Sequence, residues 1–210
     1  MRLQEAALYG RLSSQKLARW VFGSGMYPPV IESRFVDQRL IAFHDLIQAM
    51  AIDRARGFGV PLPKIREAIK RAKERHDVQF PLAYKHQLLW FDRELHIKFP
   101  NETIIQLTGR EQNQSLIKDI VEPFMKDLHF CDEGLAVSFT PFEKYGRQII
   151  LDPQRQFGQP LVGGTGYRAD ILANMYYVEQ SADLVAGAFN IDPKDVLTAV
   201  SYMEDLRSAA

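Results

Sequence analysis

The chain has 210 residues, which allows one large domain or two smaller ones of roughly 100–150 residues each. Its apolar content of 46% and charged content of 25% predict a packed core and exclude a disordered chain. A lone cysteine, Cys131, excludes an internal disulfide and a cysteine-based zinc site. No apolar run is long enough to serve as a secretory leader or a membrane span, so the expectation is a cytoplasmic protein that does not engage a membrane.

The formal net charge is zero, from 26 basic and 26 acidic side chains, but the two signs are not mixed evenly. Residues 1–80 carry 14 Lys and Arg against 8 Asp and Glu, and residues 81–210 carry 12 against 18. A basic first part beside an acidic remainder suggests that only the first part meets a polyanion.

The predicted elements follow in chain order. Leu3 to Tyr9 forms a short helix ended by Gly10. Ser13 is suited to cap a second helix, Ser14 to Phe22, whose Leu17, Trp20 and Val21 recur at helical spacing. A short helix, a tight turn and a capped second helix make helix-turn-helix geometry. Gly23, Gly25, Pro28 and Pro29 then break the chain, and Val30 to Val36 alternates as a small strand or wing would. Leu40 to Arg56 is an amphipathic helix with Leu40, Phe43, Leu46, Ile47, Met50 and Ala51 inward. After the Gly57–Pro63 turn, Leu62-Pro63 opens a helix with the stripe Ile65, Ala68, Ile69, Ala72, and Lys70, Arg71, Lys73 and Arg75 are placed on its outer side.

Phe80-Pro81 marks a change of periodicity. Leu88 to Phe99 reads as a β-hairpin turning at Asp92-Arg93, and Thr103 to Leu107 as a third strand. Gln112 to Lys126 reads as a helix, and Leu128 to Cys131, Leu135 to Phe139 and Gln148 to Leu151 as short strands. Glycines 158, 163, 164 and 166 then precede three helices: Tyr167 to Tyr177, Ser181 to Phe189 and Asp192 to Arg207. Ser181 and Asp192 serve as caps, and Pro193 occupies a first helical position. The expected fold is α+β and mainly α. It comprises an N-terminal winged helix-turn-helix (1–80), a small α+β middle segment (81–146) and a C-terminal three-helix module (147–210).

The most informative stretch is Ser13-Ser14-Gln15-Lys16-Leu17-Ala18-Arg19-Trp20. Leu17 and Trp20 would anchor the helix, turning Ser14, Gln15, Lys16 and Arg19 outward from its N-terminal half, where a recognition helix meets base edges and phosphates. Gln and Arg can read bases bidentately, whereas Lys and Ser mostly hold phosphates. The plainer alternative is an ordinary solvated helix.

Residues 1–76 resemble the MerR-like winged helix-turn-helix family. The likeness rests on Glu5-Ala6-Ala7, on Leu17-Ala18-Arg19-Trp20 followed by Gly25 and Pro28, and on Arg34 and Phe35 in the wing. It continues through Phe43-His44-Asp45-Leu46 and Arg56-Gly57-Phe58-Gly59-Val60-Pro61-Leu62-Pro63-Lys64-Ile65. It implies a DNA-binding set of Ser14, Gln15, Lys16, Arg19, Arg34 and Arg39. The long dimerisation coiled coil of that family has no heptads to support it here.

Residues 147–207 resemble a small domain-of-unknown-function family common in toxin–antitoxin operons. They carry its Gly158, Pro160, Gly164, Thr165 and Tyr202, but Gly166 where an arginine is usual. Head, middle and tail together resemble VapB-type antitoxins of VapBC toxin–antitoxin systems. The resemblance implies a homodimeric repressor that binds double-stranded operator DNA and silences a PIN-domain ribonuclease. A MerR-like transcription regulator with no toxin partner is the alternative.

No catalytic set is expected. Gly158–Gly166 lacks the Lys-Ser/Thr pair of a phosphate loop. The five histidines have no ligand spacing, so neither a metal nor a cofactor is expected. Cys131 reads as a small hydrophobe, and Trp90 and Phe91 as core or interface residues rather than a stacking platform for RNA.

Overall fold

The computed structural model describes residues 1–91, 93–100, 118–119 and 121–208. Helix α1 (Leu3–Tyr9) ends at Gly10 and α2 (Ser14–Phe22) starts from the Ser13 cap, whose hydroxyl accepts the Lys16 amide at 3.2 Å. Leu17, Trp20 and Val21, three and four residues apart, are all buried, as the spacing predicts. Helix α3 spans Phe43–Gly57 and α4 Leu62–His76, with Ile65, Ala68, Ile69 and Ala72 buried.

Leu40 does not belong to α3: it lies before the helix and is largely exposed. The Asp45 carboxylate accepts the Ala42 amide at 3.0 Å and so caps the helix at Ala42, with its first helical residue, Phe43, three residues after Leu40. Val30 to Val36 is also not a strand. The Val30 and Ile31 amides both donate to the Trp20 carbonyl, at 2.7 and 2.9 Å, which curls the segment onto α2 before turns take over from Arg34 to Arg39.

Beyond a 3-10 turn at Pro81–Ala83, β1 (Gln87–Phe91) and β2 (Glu94–Lys98) form the expected antiparallel hairpin, with β3 (Lys118–Asp119) on the other side of β1. In β2, Leu95 and Ile97 point inward and alternate with more exposed Glu94, His96 and Lys98. The strand expected at Thr103–Leu107 lies outside the described residues, as does most of the helix expected from Gln112. Where that helix is described it is replaced by β3 and by the single turn α5 (Glu122–Met125), where Pro123 occupies the first turn.

The second sheet is antiparallel in the order β4 (Leu128–Phe130), β5 (Ala136–Lys144), β6 (Arg147–Leu151), β7 (Leu161–Val162). β5 and β6 form a hairpin turning at Tyr145-Gly146. β7 has no alternation to betray it, because both of its residues are buried. The glycine-rich turn beyond it is built from backbone bonds: Gly163 donates to the Gln148 carbonyl at 2.7 Å, and the Thr165 hydroxyl to the Val162 carbonyl at 2.9 Å. A Cβ at Gly163 would meet that Gln148 oxygen at 3.1 Å, so the glycine allows the close approach.

Three helices close the chain: α6 (Ala169–Glu179), α7 (Ala182–Phe189) and α8 (Pro193–Ser208). Ser181 caps α7 by accepting the Leu184 amide, and the Asp192 carboxylate accepts the Lys194 amide at 2.8 Å. Among the described residues the fold is mixed α+β, largely helical with two small sheets.

One connected set of buried apolar side chains runs from Ala6 to Leu206. The head meets the tail at α1. The buried Tyr9 hydroxyl donates to Gln159 Oε1 at 2.7 Å, the Gln159 amide reaches Glu5 at 3.4 Å, and Arg11 pairs with Asp205 on α8. His44, at the start of α3, meets the Ala136 carbonyl of β5 at 2.9 Å.

Two substitutions test this packing by thermal or denaturant unfolding. Trp20→Ala removes a buried indole and should cost about 3–5 kcal/mol. Tyr9→Phe should cost about 1–3 kcal/mol by leaving the buried Gln159 oxygen without its donor. Wild-type stability in either variant would show that the side chain is not held as described.

Candidate nucleic-acid interface

The structure places Ser14, Gln15, Lys16 and Arg19 on the exposed side of α2, opposite Leu17, Trp20 and Val21. The helix ends at Gly23, where φ is +76° and a Cβ would lie 2.8 Å from the Tyr27 carbonyl. Only glycine fits such a position. Ser24 and Tyr27 then exchange backbone hydrogen bonds of 2.9 and 2.8 Å, making a tight turn with Met26 and Tyr27 in solvent. Arg66, on α4, donates to the Pro28 and Pro29 carbonyls at 2.5 and 2.7 Å and pins the loop from below.

Arg34 and Arg39 are exposed in the next turn. The Arg39 guanidinium lies 4.9 Å from the Phe22 ring centroid at the end of α2. Arg34 donates to Gln79 and stands 5.9 Å from the Phe80 ring. The turn itself hangs on Ser33, whose hydroxyl donates to Asp45 at 2.6 Å while accepting the Phe35 amide. The six residues thus lie on two neighbouring segments, α2 and the 34–39 turn, joined through the Arg39–Phe22 contact.

Several basic side chains already have protein partners. Lys16 pairs with Asp53 of α3 at 3.1 Å, with both side chains substantially exposed. Exposed pairs of this kind contribute at most about 1 kcal/mol, so a phosphate can displace the carboxylate at little cost. On α4 the expected outer basic side is largely absorbed. Arg71 reaches Glu94 at 3.0 Å and the Leu95 carbonyl at 2.9 Å, Lys73 pairs with Glu32 at 2.6 Å, and Lys70 with Glu74 at 3.7 Å. Asp53 and Glu94 were not foreseen as partners, because each lies more than twenty residues from its cation in the chain and has no local signal. Arg66 was missed because its acceptors are backbone carbonyls.

Asp45 is the buried acid of this region, 1% exposed. Burial pushes its carboxyl above the usual carboxylate range, against the hydrogen bonds from Ser33 and Ala42, which pull it down. Its Oδ1 is buried without a hydrogen-bond partner among the described residues.

Among the described residues no group of three or more His, Cys, Asp or Glu could hold a metal ion, and no helix is long and apolar enough to cross a membrane.

No family model matches the chain. The chain is similar to a protein whose name places it among antitoxins. A Mycobacterium tuberculosis (strain ATCC 25618 / H37Rv) protein named "Putative antitoxin VapB45" is 26% identical, over 95% of this chain and 92% of its own length. "Uncharacterized protein Rv2308", from the same strain, is 25% identical over 88% of this chain and 75% of its own length. The crystal structure of Rv2018 from Mycobacterium tuberculosis shares the fold, with a TM-score of 0.64 at 19% identity over 95% of this chain and 96% of that one.

Asp45 gives a pH test. Because its folded-state pKa is raised, the protonated form is favoured on folding, and the stability it contributes is full below the ordinary aspartate range and lost as pH rises through the folded value. Asp45→Asn keeps an acceptor for Ser33 and Ala42 without the buried charge. Unfolding measured across pH should find the variant at least as stable as wild type at neutral pH, with the difference shrinking as pH falls into the ordinary aspartate range. A variant less stable at neutral pH than in acid, relative to wild type, would contradict this.

Proposed function

We propose that the protein is an antitoxin and transcriptional autoregulator of the VapB type, whose partner is a PIN-domain ribonuclease. The observation that carries this reading is the similarity to the VapB45 antitoxin along nearly the whole chain, head and tail together. In this reading residues 1–80 are a MerR-like winged helix-turn-helix, and Ser14, Gln15, Lys16 and Arg19 enter the operator's major groove while Arg34 and Arg39 hold the flanking backbone. Residues 81–146 and 147–210 form the middle segment and the antitoxin-associated module. Two copies act together in the cytoplasm, one on each half-site of the operator. No chemistry is involved: the protein works by occupying its DNA and its toxin.

The exposed polar side of α2 supports the DNA half of the reading. Its helix dipole points positive toward the ligand, and its side chains combine base-reading and phosphate-holding types. The separation of charge supports the division of labour, since the basic residues concentrate before residue 80 and the acidic surplus after it.

Lys16→Ala with Arg19→Ala should weaken binding to the protein's own promoter by about 1–3 kcal/mol per specific contact, while thermal stability stays close to wild type because both side chains are exposed. Gel-shift titration measures this. Unchanged affinity would remove α2 from the DNA interface. Co-expression with the product of the adjacent reading frame tests the toxin half. A protein that binds its promoter but neither binds nor silences that product would be a MerR-like regulator without a toxin partner.

A further inference from the structure

Helix α6 is apolar on both sides. It buries Ala169, Leu172 and Ala173 in the core, and Tyr176 packs against it, yet it also turns Ile171, Met175 and Val178 outward. These three follow at four- and three-residue spacing, one above the other along the helix. Their exposures are 41%, 37% and 76%, and Leu184, in the first turn of α7, is 63% exposed. Val178 and Leu184 flank the Gln180-Ser181 turn that joins the two helices. A helix that is apolar all round is ordinarily covered on all sides, and a contiguous exposed apolar face marks an interaction surface.

The charges around this face select its occupant. From residue 169 to 192 the chain carries Asp170, Glu179, Asp183 and Asp192 and no Lys or Arg. Asp170 pairs with Arg168 at 2.6 Å and Asp192 with Arg147 at 3.4 Å. Glu179 and Asp183 remain exposed on either side of the turn, beside Val178 and Leu184. Two copies of such a face would bring together rims that are acidic on both sides, with Arg207 over the Tyr177 ring as the neighbouring cation, so a second copy is poorly matched in charge. The face matches a surface with an apolar centre and a basic rim, and a ribonuclease carries basic surface because its substrate is a polyanion.

We propose that the outward side of the α6–α7 hairpin is the surface on which the ribonuclease toxin docks, with Ile171, Met175, Val178 and Leu184 as the apolar anchor and Glu179 and Asp183 as the electrostatic guide. This rests on the antitoxin reading above. The face lies on different helices from α2, whose exposed side carries the DNA reading.

The test uses the full chain and the purified PIN-like product of the adjacent reading frame, with affinity measured by calorimetry. Val178→Asp with Leu184→Asp should lower toxin affinity roughly 100-fold, the scale of losing a central apolar anchor. Its melting temperature and promoter binding should remain those of wild type, because neither side chain is part of the core. Glu179→Lys with Asp183→Lys should weaken association about tenfold at low salt and progressively less as salt rises. Wild-type toxin affinity in the folded Val178→Asp/Leu184→Asp variant would overturn the proposal. So would a variant that loses self-association, by light scattering, while keeping the toxin, which would assign the face to a second copy. If wild type itself fails to bind the toxin, the antitoxin reading falls and this inference falls with it, an outcome visible without any variant.

Discussion

The bond between the Tyr9 hydroxyl and Gln159 ties the first helix to the tail, and much of the arrangement follows from it. Helix α1 is seven residues long, too short to be stable alone. It persists because it is packed on more than one side: Ala6 and Ala7 are buried with the head, and Tyr9 is directed at the turn that leads into β7. Glu5 and Arg11, at either end of the helix, reach Gln159 and Asp205 of the tail. The first turn of sequence is thus held by residues some 150 to 200 positions later, and α2 is presented from a base that includes the last helix.

Electrostatics act at two levels. The basic surplus of residues 1–80 is real in the sequence, but in the fold many of its members are spent locally. Arg66 holds backbone carbonyls, while Arg71 and Lys73 hold carboxylates that come from the start of β2 and from the loop after α2. A smaller group of cations stays exposed on α2 and the 34–39 turn. Within it, Lys16 pairs with the partly exposed Asp53, and Arg39 rests on an aromatic ring. Such a group is loosely held by the protein itself.

The helices and their caps were legible in the sequence because they rest on local signals: Ser13, Ser181, Asp192 and Pro193 act within four residues of where they stand. The β1–β2 hairpin was legible for the same reason, its alternation being confined to one short stretch. Missed features depend on distant partners. Leu40 is an exception, since it looked like the first turn of a helix because it is apolar at the right spacing, and the nearby Asp45 carboxylate caps the helix at Ala42 instead. Val30 and Ile31 looked like a strand and instead share one carbonyl of α2. On the surface, the outward residues of α2 could be named from spacing alone, since a helix with a buried Leu17 and Trp20 must turn Lys16 and Arg19 away. The outer face of α6 could not, because its apolar residues look like core until the three-helix packing shows which side is already filled.

The chain contains eight tyrosines, and two of them, Tyr9 and Tyr202, are held at the junction of α1 with the tail. Burial, aided by the nearby Asp170 and Glu5 carboxylates, raises the Tyr9 phenol to about 12. Burial also raises Tyr202 on α8, which is fully enclosed. Each phenol sits near an ion pair or hydrogen bond by which α1 meets the tail, and each keeps its proton far into alkali as long as that junction is closed. The ultraviolet absorbance of the phenolate therefore offers an optical gauge of the junction itself: an early rise in these two signals would report that the ends of the molecule have come apart before the rest of it unfolds.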